Sequence, residues 1–221
     1  MVHFVLNQPS IPRKSLQEIA TMRKLVLAFA ALALTASPAF AGKFNKVLSA
    51  GDKAPTFAGI PAAFKGEDSS LTLSDIKEDV VVLVFLGNHC PVVQMYDDRI
   101  IDLVNDYKGK SVKVIGVAVA DLASDKLPAI KTYSKDKGIN YIYGYDETQA
   151  IGKAYGATNT PQFFVLDKHR NVSYLGALDD NGIESKVTKT YVRDAVNALL
   201  EGKKVEVSET QPKGCGIQYK R

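Results

Sequence analysis

The sequence predicts an α/β domain: a central mixed sheet flanked by helices and followed by a cysteine-containing tail. Three observations carry this. Val80 to Leu86 is an unbroken apolar run rich in valine, the mark of a strand covered on both faces. Directly after it, Val92, Met95, Tyr96, Ile100, Leu103, Val104 and Tyr107 recur at helical spacing. Further on, strand-like and helix-like stretches alternate and end in a hairpin and a helix, which gives parallel pairing beside an antiparallel edge.

The elements follow in order. Gly51 to Phe57 is extended, because Pro55 blocks a helix. Leu71 to Ile76 alternates and reads as a short strand running into a turn. Val112 to Val119 is a second buried strand, and Leu127 to Asp136 a helix closed by Gly138. Tyr141 to Tyr145 is a strand whose three alternating tyrosines share one face and pack together. It ends in Asp146-Glu147-Thr148, and a short helix follows through Gln149, Ile151 and Ala154 to Tyr155-Gly156. Phe163–Leu166 and Val172–Leu175 flank the polar turn Asp167 to Asn171 and form a hairpin. Thr188 to Leu200 is the last helix, with Tyr191, Val192, Ala195, Leu199 and Leu200 on its apolar side. Gly202 stops it. The acidic pairs Asp97-Asp98 and Asp179-Asp180 read as solvated, turn or capping charge, with no chemistry of their own.

The first 41 residues stand apart from this domain. Met22 to Ala41 has a basic start, an apolar centre and a small-x-small end at Ala39-Phe40-Ala41, the pattern of a secretory signal peptide cut after Ala41. Residues 1–21 then read as an upstream over-extension of the chain. The domain proper spans 42–200 and the tail 201–221. Of the 28 basic and 24 acidic residues, the leader holds Arg13, Lys14, Arg23, Lys24 and Glu18, so the remainder is nearly neutral. The basic overall charge is therefore no argument for nucleic-acid or anionic-membrane binding, and neither a nucleic-acid partner nor stable membrane insertion after cleavage is expected. The expected location is periplasmic or secreted. Two cysteines, Cys90 and Cys215, are too few for a disulfide-built scaffold, although two thiols can pair in an oxidising compartment.

Cys90 is the first candidate for chemistry. Gly87-Asn88-His89 ends the buried strand, and Pro91 suits the first helical position. Cys90 therefore sits at or beside the N-cap, where free N–H groups and the positive end of the helix dipole favour a thiolate. A small buried hydrophobe closing a strand is the plain alternative. His89 can act as acid or base toward a sulfur. A His89–Cys90 metal pair finds no third histidine, since His3 lies in the leader and His169 in the hairpin turn. No metal and no cofactor is expected. Downstream, Thr160-Pro161 enters a strand, a place where proline is cis or marks an edge. Cys215 lies beyond the last helix between Gly214 and Gly216, with Ile217 and Tyr219 beside it to dock the tail.

These residues resemble the thioredoxin-like redoxin superfamily, in particular its bacterial redoxin and alkyl-hydroperoxide-reductase/thiol-specific-antioxidant branch. The likeness runs from Gly51-Asp-Lys-Ala-Pro-Thr-Phe57 through Phe85-Leu-Gly-Asn-His-Cys-Pro-Val-Val93 and Asp146-Glu-Thr-Gln149. It continues through Tyr155-Gly-Ala-Thr-Asn-Thr-Pro-Gln-Phe-Phe-Val-Leu-Asp167 to the final helix. The resemblance implies a thioredoxin-like fold, a nucleophile at Cys90 and a cis proline at Pro161 against its sulfur. It also implies a substrate groove formed by Asn88, Pro91, Thr160 and Pro161.

Two family patterns are absent. The second cysteine of a Cys-x-x-Cys pair is Val93, and the Pro and Thr of the peroxidase motif Pro-x-x-x-Thr-x-x-Cys are Leu83 and Gly87. The arginine that often follows the loop proline is Gln162. The expected activity is thiol–disulfide exchange by Cys90, resolved by Cys215 or an external thiol, on protein or small-molecule thiols and disulfides. The alternatives are a peroxide-reducing antioxidant passing through a sulfenic acid, and a binding module with a permanent Cys90–Cys215 bridge.

Overall fold

The computed structural model describes residues 42–221; the expected leader and its start at Met22 lie outside the described residues. The main sheet has seven strands, in the spatial order Glu67–Leu71 (β2), Ile60–Phe64 (β1), Ile142–Tyr145 (β5), Val112–Ala118 (β4), Val80–Leu86 (β3), Gln162–Leu166 (β7) and Val172–Gly176 (β8). Its centre is β3 (Val80–Leu86), paired in parallel with β4 (Val112–Ala118), which pairs in parallel with β5 (Ile142–Tyr145). On the other side β3 pairs antiparallel with β7 (Gln162–Leu166), and β7 with β8 (Val172–Gly176) across the expected turn.

Every residue of β3 is buried. Val80, Val82, Val84 and Leu86 join one apolar cluster, while Val81, Leu83 and Phe85 join the other, as a pleated strand between two layers requires. Helices α1 (Pro91–Asp106), α2 (Leu127–Asp136) and α4 (Tyr191–Leu200) contribute to the first cluster, with Tyr141, Tyr143 and Tyr145. The short α3 (Ala150–Tyr155) contributes Ile151 and Tyr155 to the second. The mixed sheet with helices on both faces is thus as the sequence predicts.

Several local expectations need correction. Leu71 to Ile76 is not a strand. Leu71 ends β2 (Glu67–Leu71), and Leu73–Asp75 is a 3₁₀ turn. The partner of β2 is β1 (Ile60–Phe64), which joins it through Lys65 and Gly66, both at positive φ, and also pairs antiparallel with β5. The last helix begins at Tyr191 rather than Thr188, with Asp180 accepting from the Thr188 and Lys189 amides just before it. On α1 the inward residue is Val93, and Met95 is 58% exposed.

The acidic pairs are also split by burial. Asp97 is buried and accepts a 2.5 Å hydrogen bond from the Tyr133 hydroxyl. Asp179 is buried and ion-paired with Arg99 at 2.5 Å, while Arg99 also donates to the Asn181 and Gly182 carbonyls. These two carboxylates are held inside because each has a donor to meet it, whereas sequence spacing suggests solvent.

Candidate active site around the Cys90–Cys215 disulfide

The end of β3 and the start of α1 place Cys90 where the sequence puts it. Cys90 is the extended N-cap residue, Pro91 follows at the first helical turn, and the Cys90 amide donates to the Gly87 carbonyl. Across from it the Thr160–Pro161 peptide bond is cis, between β6 (Asn159–Thr160) and β7. The Cys90 sulfur lies 3.1 Å from the Thr160 carbonyl oxygen. Gln162 knits this loop from within, its amide oxygen accepting from the Thr158 and Asn159 amides.

The tail closes the site. Cys90 and Cys215, 125 positions apart, form a disulfide with their Cα atoms 6.0 Å apart. Cys215 belongs to β9 (Cys215–Gly216), which pairs antiparallel with β6 so that Thr160 faces Cys215 and Asn159 faces Gly216. The two cysteines are not equally buried. Cys90 is 0% exposed, whereas Cys215 is only partly buried. Gly214 is required beside this pair: it sits at φ +148, and a Cβ there would collide with the Thr160 carbonyl.

His89 and Asn88 divide their roles. The His89 ring holds its Nδ1 2.7 Å from Asp125 Oδ2, with its side chain 32% exposed and that of Asp125 fully buried. Asp125 also accepts from the Asn88 amide. An Nδ1–H given to the carboxylate leaves Nε2 to take or release a proton on the solvent side. Asn88 instead turns its side chain inward. It donates to the Ser124 carbonyl at 2.8 Å and accepts from the Tyr143 hydroxyl at 3.0 Å. It braces the turn and does not face a groove. Pro91 is exposed, while Thr160 and Pro161 are buried under the tail.

Asp125, which orders both His89 and the turn, lies outside the sequence reading. It sits in a 3₁₀ turn (Ala123–Asp125) after β4, and only its place beyond a buried strand hinted at a role. Next to the bridge is a cavity of about 280 Å³, lined by His89, Leu122, Thr160, Ile217 and Tyr219 among others. Among the described residues no group of three or more His, Cys, Asp or Glu comes together as a metal site.

The Redoxin family model matches residues 49–192, a span that holds both the Cys90 turn and the Thr160–Pro161 loop. The chain belongs to the Redoxin family. The redoxin superposes on an uncharacterized conserved protein of Geobacillus kaustophilus with a TM-score of 0.70 at 34% identity, covering 80% of this chain and 95% of that one. A hypothetical protein of Sinorhizobium meliloti 1021 superposes with a TM-score of 0.71 at 28% identity, over 80% and 97%. A proposed thiol:disulfide interchange protein, DsbE, of Chlorobium tepidum shares the thioredoxin-like fold at 22% identity, with a TM-score of 0.56 over 69% and 99%. No curated protein matches. Family and disulfide together support a redox function for this redoxin. No helix among the described residues is long and apolar enough to cross a membrane.

Proposed function

We propose that this redoxin performs thiol–disulfide exchange outside the cytoplasm, with Cys90 and Cys215 as its redox couple. The observation that carries the reading is the bridge itself: it joins a helix-start cysteine to a partly exposed tail cysteine across the cis-proline loop. The difference in exposure supports an order opposite to the one the sequence suggests. A partner thiolate attacks the Cys215 sulfur, the Cys90–Cys215 bond breaks, and Cys90 leaves as a thiolate favoured by the N-terminus of α1. A second partner thiolate then attacks the partner's own sulfur in the mixed disulfide. The partner leaves as a disulfide, and Cys215 is released as a thiolate. Run in reverse, the reduced chain reduces a partner disulfide. His89, oriented by Asp125, supplies the proton to a departing thiolate or removes it from an incoming thiol.

The peroxide-reducing reading has less support. Leu83 and Gly87 stand where the peroxidase motif has Pro and Thr, and Gln162 turns its amide oxygen into the loop. Export is supported by the charge–apolar–small pattern from Met22 to Ala41 and by the presence of a disulfide. The test is turnover: catalytic amounts of the oxidised chain should oxidise a dithiol in the presence of a disulfide acceptor. Cys90→Ser and Cys215→Ser should each bring the rate to background. Peroxide consumption without disulfide exchange would favour the antioxidant reading, and neither activity the binding module. The chain recovered from the exported fraction should begin at Gly42 by intact mass.

A further inference from the structure

Gln149 closes the Asp146-Glu147-Thr148-Gln149 stretch and stands at the start of α3 with φ 60 and ψ 13. It is 1% exposed. Its neighbours account for the turn: Asp146 Oδ2 accepts from the Gly152 amide at 2.8 Å, and Thr148 donates to Asp146. The Gln149 side chain does something else. Nε2 donates to the Val119 carbonyl at 2.8 Å and to the Gln218 carbonyl at 2.9 Å, while Oε1 accepts from the Lys220 amide at 2.7 Å. Both donors and the acceptor of one buried amide thus tie the end of β4 to the tail, whose contacts lie 69 and 71 positions beyond Gln149.

Other contacts act on the same segment. The Ile217 amide donates to the Thr158 carbonyl at 2.9 Å, and the Tyr219 hydroxyl to the Ala157 carbonyl at 2.8 Å. Ile217 and Tyr219 pack against the second apolar cluster. Gly152 leaves the room for Tyr219, since a Cβ there would come within 2.7 Å of its hydroxyl. Lys220 pairs with Asp121 at 2.7 Å. None of these contacts involves a sulfur.

We propose that residues 216–220 form a dock that holds the tail on the sheet when the disulfide is open, with Gln149 as the residue that positions Cys215 against Cys90. This deepens the exchange reading and rests on it. A docked Cys215 meets Cys90 at high effective concentration, because the ordering entropy is already spent by the dock. In the closing step the Cys90 thiolate attacks the Cys215 sulfur of a mixed disulfide. The Cys90–Cys215 bond forms, the Cys215–partner bond breaks, and the partner leaves as a thiolate that takes a proton from water. Partner adducts then stay transient, and the couple is held toward its oxidised form.

The test is the redox midpoint of the full chain in glutathione buffers, read by thiol alkylation. Gln149→Ala should open the bridge at about tenfold weaker reducing ratio, or about 30 mV for this two-electron couple. In a Cys215→Ser background, Gln149→Ala should raise the Cys90 alkylation rate, because the released tail no longer covers that sulfur, and a rate equal to that of Cys215→Ser alone would overturn the dock. Ending the chain after Tyr219, which removes the Lys220 amide and the Lys220–Asp121 ion pair, should shift the midpoint the same way. A Gln149→Ala midpoint equal to wild type overturns the dock. A wild-type chain that no thiol buffer opens overturns the exchange reading instead, a separate result. Hydrogen exchange on the reduced wild-type chain needs no variant: slow Ile217 and Lys220 amides support the dock, and amides exchanging as in a free peptide overturn it.

Discussion

Thr160 faces Cys215 in a two-residue antiparallel pair, and the same Thr160 turns its carbonyl to the Cys90 sulfur 3.1 Å away. One residue therefore sets the register of the tail and one wall around the covered sulfur. The arrangement makes the two ends of the bridge chemically different, and the first prediction follows from that difference.

A small thiol added briefly to the oxidised chain, followed by an alkylating quench, should leave the thiol on Cys215 and the alkyl group on Cys90. Peptide mapping reads both. Adducts found mainly on Cys90 would reverse the order of attack argued from the exposures.

Replacing Asp125 should affect both stability and rate. Asp125→Ala leaves the buried Asn88 amide without its partner and frees the His89 ring. Unfolding in urea should show a loss of about 1–3 kcal/mol. Exchange with a thiol should slow by about 10²-fold, within the usual range for acid–base assistance, and His89→Ala should match it. The double variant should be no slower than either single one. Full additivity would mean that the two residues act separately.

The Arg99–Asp179 pair should behave as a buried ion pair. Both side chains are nearly inaccessible, and burial holds the Asp179 carboxyl above its ordinary range even with Arg99 beside it. Arg99→Met should cost about 3–5 kcal/mol by stranding that carboxylate, and adding Asp179→Leu should restore much of the loss. Chemical denaturation of the two variants decides it.

Much of the architecture was legible because single segments declare themselves. The valine-rich run of β3 and the Pro91 start of α1 needed no long-range information, nor did the Gly138 stop of α2. The β1–β2 hairpin was not read, because Pro61 masks the alternation of a short strand; the two-residue turn at Lys65-Gly66 was its only signal. Cys90, His89 and Pro161 stood out for the same local reasons. Asp125 and Gln149 did not: their meaning lies in partners 36 and 71 positions away along the chain, which spacing cannot supply. Asp97 looked solvated because its neighbour Tyr133 belongs to another helix.

Asp97 also gives a pH-dependent prediction. Burial raises its carboxyl above the ordinary value, with the Tyr133 hydrogen bond and the Lys137 charge pulling the other way, and its Oδ1 has no partner. A folded-state value above the unfolded one means that the protonated form is favoured by folding. The benefit is complete below the unfolded value near pH 4 and is lost as pH rises through the folded value. Asp97→Asn should thus be more stable than wild type by about 1 kcal/mol at pH 7, and the gap should close toward pH 4. Thermal melts across that range would read a constant gap if the carboxyl were not raised.

The central claim is that the Cys90–Cys215 bridge is a working couple and not a permanent staple. Its reduction potential, measured on the folded chain by equilibration in dithiothreitol and glutathione buffers, tests this most directly. The account predicts a midpoint above about −300 mV, within the range of exchanging disulfides, with the chain folded on both sides of the transition. A midpoint below about −300 mV, or opening only on unfolding, would contradict it.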